Sequence, residues 1–154
     1  MGSKLAAGIR QNKRFALLEE EALLNLLRTH EFIQQRQTEF FKRFQLTSTQ
    51  YNILRILRGA GGDGASCSEA AERMVTADPD ITRLLDRLEA RELIARERRR
   101  EDRRVVVGRI TGQGLELLQT IDKPLAGFLK RRMGRIGKKD LERLIAILES
   151  LRGE

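Results

Sequence analysis

The stretch Asp80-Ile81-Thr82-Arg83-Leu84-Leu85-Asp86-Arg87-Leu88-Glu89, followed by Ile94 to Arg99 and Arg104 to Ile110, decides the fold. At 100° per residue, Ile81, Leu84, Leu85 and Leu88 fall on one stripe, and Asp80, Arg83, Asp86 and Arg87 lie broadly opposite, with Thr82 on the flank. Asp78-Pro79 starts this helix, because Pro at a first helical position sacrifices no hydrogen bond. The helix runs to about Glu92. The period then changes from helical to alternating, and Val105, Val106 and Val107 mark the second of two strands. Arg100-Glu101-Asp102-Arg103 is the polar tip between them.

Upstream, Thr47-Ser48-Thr49-Gln50 and Ser66-Cys67-Ser68-Glu69 each carry the spacing of a capping box. They open helices running to Arg58 and to about Val75. The glycines from Gly59 to Gly64 predict a flexible loop between these two helices. Before them, Lys13 to Phe44 contains no Gly or Pro, and apolar residues recur from Phe15 to Phe44 at helical spacing. This is one long helix, or two broken near Gln34–Thr38. Roughly 30 residues reach about 45 Å, more than a small core needs, so such a helix packs on a partner. Downstream, Thr111 caps a helix through Leu115, Leu118, Ile121 and Leu125, with an irregularity expected at Pro124. A last helix carries Leu141, Leu144, Ile145, Leu148 and Leu151.

The expected fold class is therefore mainly α with a small β-hairpin (α+β). Three helices followed by a hairpin is the plan of a winged helix-turn-helix. It is flanked here by N- and C-terminal dimerisation helices, at 13–44 and 112–151, around a winged region at 46–111.

Composition narrows the function. Lys plus Arg number 30 against 22 Asp plus Glu, a net charge of +8 in 154 residues. Between Arg96 and Arg109 seven arginines (96, 98, 99, 100, 103, 104 and 109) face three acids, a local +4. Arginine's planar fork suits phosphate and the narrow minor groove. Asp102 plays a different part: an Asp at a turn accepts from backbone N–H groups or clamps a neighbouring Arg. On the helix, Arg83 can bond guanine and Thr82 a base edge or a thymine methyl. Ion pairs on an ordinary solvated surface are the competing reading of the same residues.

Other classes are poorly supplied. Cys67 and His30 are the only residues of their kinds, which leaves no intrachain disulfide, no thiolate cage and no histidine-rich metal site. No paired-carboxylate or glycine–phosphate motif is present, so no enzyme activity and no cofactor are expected. No apolar run approaches the roughly 20 residues of a membrane span. The start, Met1-Gly2-Ser3-Lys4, lacks a secretory apolar region, and a cytoplasmic protein is expected.

Leu46-Thr47 with Gln50-Tyr51-Asn52-Ile53-Leu54, then Asp80 to Glu89, then Asp102-Arg103-Arg104 through Ile110-Thr111 and Gly114 resembles the MarR family of bacterial regulators. The resemblance implies a homodimer whose first and last helices interlock, and a near-palindromic double-stranded DNA operator. It implies a repressor that answers to a ligand or signal. By position, the recognition-helix contacts fall on Asp80, Thr82, Arg83 and Arg87. The family's wing Asp and Arg fall on Asp102 and Arg104, on a tip that also carries Arg100 and Arg103. Family members often bind small aromatic acids between the dimer helices and the winged domain, and Tyr51 and His30 are candidates to line such a cleft. For His30 a buried or interfacial structural role is the plainer reading. Cys67 stands at a helix start, and oxidant sensing there is the weaker reading. The family usually has Gly where this chain has Glu92, so that helix is expected to end without the usual left-handed Gly cap. A winged module for RNA or protein is the rival function.

Overall fold

A computed structural model describes residues 4–10 and 15–154. It contains two compact units, 1–48 and 49–154. In the first, a short helix α1 (Lys4–Gly8) precedes α2 (Leu18–Lys42), which is unbroken through Gln34–Thr38. The expected helix start at Lys13 lies outside the described residues, and the chain from Phe15 to Leu17 is not helical. Twenty-five residues give α2 a length of about 37 Å, shorter than expected. Its C-terminal end is packed: Phe40 and Phe41 are buried, with their rings edge to face at 5.1 Å. The rest of the helix leaves Leu18, Leu23, Leu27, Phe32 and Ile33 exposed, Leu18 at 79%. His30 is exposed too, 3.3 Å from Gln34 one turn on, so of the buried or interfacial role expected for it, burial within the chain is not what the fold provides.

The second unit holds α3 (Ser48–Ala60, whose first residue closes unit one), β1 (Ala65–Ser66), α4 (Cys67–Glu72), α5 (Ile81–Ala90), β2 (Ile94–Arg98), β3 (Val106–Ile110), α6 (Gly112–Met133) and α7 (Lys138–Arg152). The class is mainly α, as expected, but the hairpin is two strands of a three-stranded antiparallel sheet ordered β1-β3-β2. Ile94 pairs with Ile110 and Arg98 with Val106, so both strands are shorter at the tip than their composition predicts. The third strand is the two residues Ala65 and Ser66, opposite Gly108 and Val107. The glycine stretch is not a loose loop. Gly59 is helical, Gly61–Asp63 form a 3-10 turn, and Gly64 sits at φ 66°. A Cβ on Gly64 would meet Gly108 O at 2.6 Å, so only glycine lets β1 reach β3 here.

The core of this unit is aliphatic. Ile53, Leu54 and Leu57 of α3, Leu85 and Leu88 of α5, Ile94, Val107, Leu118 and Ile121 are all essentially inaccessible. The layers meet at Gly108, where a Cβ would lie 3.6 Å from Leu57 Cδ1 and 3.9 Å from Ile94 Cδ1. Thr111 joins the sheet to α6: its Oγ1 accepts from Gly114 N (3.1 Å) and donates to Glu92 O (2.6 Å). The helix runs unbroken through Pro124, where the sequence predicts an irregularity. By contrast α7 buries no residue at all, and Ile145, Ile147 and Leu151 are exposed.

Glu92 corrects an expectation. It takes the left-handed conformation (φ 57°) that Gly would favour, with Leu93 N bonded to Leu88 O (3.0 Å) and Glu92 N to Glu89 O (2.8 Å). That is the glycine-type helix stop, built with a residue that pays for its Cβ. Glu92→Gly is accordingly expected to stabilise the fold by about 1 kcal/mol. Urea unfolding would register this as a higher midpoint at unchanged m, and an unchanged or lower midpoint would contradict it.

Candidate nucleic-acid interface

Helix α5 starts later than predicted. Pro79 lies before the cap, and Asp80 is the N-cap residue: its carboxylate accepts from Arg83 N at 3.1 Å, while Asp78 accepts from Asp80 N at 2.8 Å. Its apolar face is as expected, with Ile81, Leu84, Leu85 and Leu88 buried. Thr82, Arg83, Asp86 and Arg87 are exposed on the other side. Arg83 keeps 76% of its side chain in solvent, with Nε 3.1 Å from Asp80 Oδ2. Asp80 thus caps the helix and aims the Arg, and Thr82 and Arg87 carry no partner among the described residues.

The approach to α5 is anchored from below. Helix α4 stops at Glu72, short of the predicted Val75. The connecting chain is held where Val75 N donates to Oδ1 of the buried Asn52 (2.9 Å). A buried amide without that bond would cost on the order of 1–3 kcal/mol.

The wing arginines divide into two groups. Arg96 turns inward, its Nε 2.8 Å from Glu89 Oε2 and its Nη2 2.6 Å from Asp86 Oδ1, which fastens β2 to α5. Arg99 grips both carboxylate oxygens of Glu69 at 2.7 and 2.9 Å, and Arg109 Nε lies 2.7 Å from Glu97 across the strands. These three are structural. Their charges are matched, so the local +4 overstates what the wing offers an anion. Arg100 and Arg103 project without a partner among the described residues. Arg104 is 93% exposed on a tip that Asp102 shapes, as expected: Oδ1 accepts from Arg104 N (3.0 Å) and Arg104 Nε (3.3 Å). Val105 N closes the turn on Asp102 O (3.0 Å), and Arg98 donates to Arg103 O (2.8 Å).

Glu69 was not among the predicted site residues, although its capping box was. Its Oε2 accepts from Ser66 N (2.7 Å) while Ser66 Oγ accepts from Glu69 N (3.3 Å). The Ser66 backbone N–H, then Arg99, holds its carboxyl down to about 2. A depressed carboxylate stabilises the folded state above its unfolded pKa and loses that contribution as pH falls through the folded one. The wing clamp is therefore expected to be intact above about pH 5 and to fail between about 4.5 and 2. Acid unfolding of Glu69→Gln should lose this part of its pH dependence; an unaltered profile would remove the clamp from the acid response. Cys67, next to the cap, is exposed.

The outward face of α5, its tie to β2 and the cationic wing tip form a winged helix-turn-helix. A family model described as MarR family matches residues 46–106, from the start of α3 into β3. A MarR transcription factor of known structure from Planctomyces limnophilus is 40% identical, with a TM-score of 0.68 over 88% of this chain and 98% of that one. The chain belongs to the MarR family of transcription factors. This MarR-family regulator is also 29% identical to the HTH-type transcriptional regulator PapX of Escherichia coli, over 92% of this chain and 87% of PapX. It shares its fold with S. aureus MepR, solved as a DNA complex (21% identity, TM-score 0.74, covering 86% and 95% of the two chains). As a helix-turn-helix regulator its ligand is DNA. None of its helices, among the described residues, is long and apolar enough to cross a membrane.

Proposed function

We propose that the chain is a sequence-specific repressor that binds a near-palindromic duplex operator as a homodimer and occludes a promoter. The observation that carries this reading is the pairing of an outward Thr82, Arg83 and Arg87 on α5 with unpaired arginines on the wing tip. Helix α5 enters the major groove, where Arg83 and Arg87 reach guanine edges and Thr82 a base edge or methyl. Asp80 orients Arg83. Arg100, Arg103 and Arg104 enter the adjoining minor groove or bind its phosphates, and Asp102 keeps the tip in shape. Residues 46–111 form the DNA-binding region, and 13–44 and 112–151 supply the dimer contacts. The exposed apolar residues of α2 and α7 support that division.

Ligand control follows from the family resemblance: a small aromatic acid, bound near the dimer helices, shifts the dimer between binding-competent and incompetent spacings. The protein works in the cytoplasm and without catalysis or cofactor, since its chemistry is recognition alone.

Filter binding of duplex DNA against RNA of the same sequence, with Arg83→Ala and Arg104→Ala, tests the reading. Arg83→Ala is expected to cost about 1–3 kcal/mol on the preferred site and to relax discrimination there. Arg104→Ala should weaken binding evenly across sequences. Wild-type binding by both variants, or a preference for RNA, would refute the assignment.

A further inference from the structure

Helices α6 and α7 meet in an elbow whose sequence is Lys130-Arg131-Arg132-Met133-Gly134-Arg135-Ile136-Gly137-Lys138-Lys139. Its six cations and no acid in ten residues exceed the excess on the wing. Unlike the wing, the elbow has few internal partners. Arg132 lies over the Phe128 ring, and Lys138 is a loose 3.7 Å from Glu142. Lys130, Arg131, Arg135 and Lys139 are exposed and carry no ion pair among the described residues.

Part of this charge has a local reason, since cations suit the C-terminal turn of α6. The other part does not. Lys138 and Lys139 occupy the first two positions of α7, behind a glycine N-cap that offers no side-chain oxygen. There they oppose the helix dipole and repel one another, moderated by Asp140 in the first turn and by the loose Lys138–Glu142 pair. Such a cluster is stabilised by an anionic partner.

The chain carries one counterpart of matching form. Glu19, Glu20 and Glu21 make up the first turn of α2, directly after the exposed Leu17 and Leu18. The elbow is likewise flanked by exposed apolar residues, Leu129 on α6 and Ile145, Ile147 and Leu151 on α7. Each charged cluster thus borders an apolar surface that a second copy of the chain would cover. DNA fits the elbow less well: Gly114, near the start of α6, is seated against Leu93, and about 28 Å of helix lies between it and the elbow. A duplex on the wing is therefore remote from the elbow.

We propose that the α6–α7 elbow of one protomer grips the Glu19–Glu21 turn of its partner, as an electrostatic clamp at the edge of the apolar dimer contact. The proposal rests on the homodimer reading and adds to it a salt-sensitive, directional contact. Six exposed ion pairs in a twofold dimer, each weak alone, together make dimerisation depend on ionic strength.

Two full-length variants test it, E19K/E20K/E21K and K130E/R131E/R135E/K139E, by sedimentation at low salt. Each alone places like charges together and is expected to raise the dimer dissociation constant at least tenfold. Mixed in equal amounts they regain wild-type affinity as a heterodimer, because every clamp across that interface again joins opposite charges. Pairing within one chain gives no such recovery. The milder pair E20Q and R135Q should flatten the salt dependence of wild-type dimerisation without altering the fold. Unchanged dimerisation of the reversed variants, or no recovery on mixing, overturns the clamp while leaving the dimer. Lost DNA affinity with an intact dimer assigns the elbow to DNA and overturns it equally. A monomeric wild type removes both readings.

Discussion

Raising salt from 50 to 200 mM is expected to weaken operator binding about a thousandfold. The figure comes from the wing as folded, and not from its arginine count. Of the seven arginines, Arg96, Arg99 and Arg109 are matched by carboxylates and release few counterions from DNA. Arg98 is drawn back onto the Arg103 carbonyl, which leaves Arg100, Arg103 and Arg104 at the tip, about six phosphate contacts in a dimer, for a log–log slope near −5. Fluorescence anisotropy across that salt range measures it. Each Arg104→Ala dimer should lose roughly two contacts and bring the slope to about −3.5. A slope near zero would mean that the wing tip does not meet phosphate. A slope beyond about −9 would mean that surfaces other than the wing carry the electrostatics.

Equally large is the effect expected from making α7 polar. Ile145 is 54% and Leu151 68% exposed, although both belong to the apolar stripe of their helix. Burying such a side chain contributes about 1.5–3 kcal/mol, and a twofold dimer buries each twice. Ile145→Asp with Leu151→Asp should therefore raise the dimer dissociation constant by at least about a thousandfold. Specific DNA binding should fall with it, since a monomer reaches one half-site. The winged core contributes none of these atoms, so far-UV circular dichroism should stay near wild type. A double variant that sediments as a dimer would place the interface elsewhere.

Local chemistry was legible in the sequence wherever a residue's role depends on its near neighbours. The buried stripe of α5, the Ser66–Glu69 capping box, the Thr111 cap and the Asp102 turn all follow from spacings of two to four residues. What depends on topology was not. Strand β1 is two residues long and has no period to detect; it exists because Gly64, with no Cβ, lets its backbone approach that of Gly108. Arg99 and Glu69 lie 30 residues apart, and nothing short of the fold brings them together. The same holds for Arg96 with Asp86 and Glu89, so arginines that looked like a DNA surface proved in part to be struts. Glu92 shows the converse: tertiary bonds from Thr111 and Leu93 hold a left-handed turn that its side chain disfavours. The contact roles of Thr82, Arg83, Arg87, Arg100, Arg103 and Arg104 rest on exposure and charge, which the fold leaves open to solvent.

Selection of bound sequences from a random duplex library, with the full-length protein at moderate salt, tests the central claim most directly. Two α5 helices related by a twofold axis read the same major-groove face one turn apart, about 34–36 Å. The enriched sites should therefore be near-palindromes with half-site centres about 10 base pairs apart, and Arg83→Ala should relax specific positions in both halves. A library that stays random, or a single unrepeated half-site bound tightly by a monomer, would contradict it.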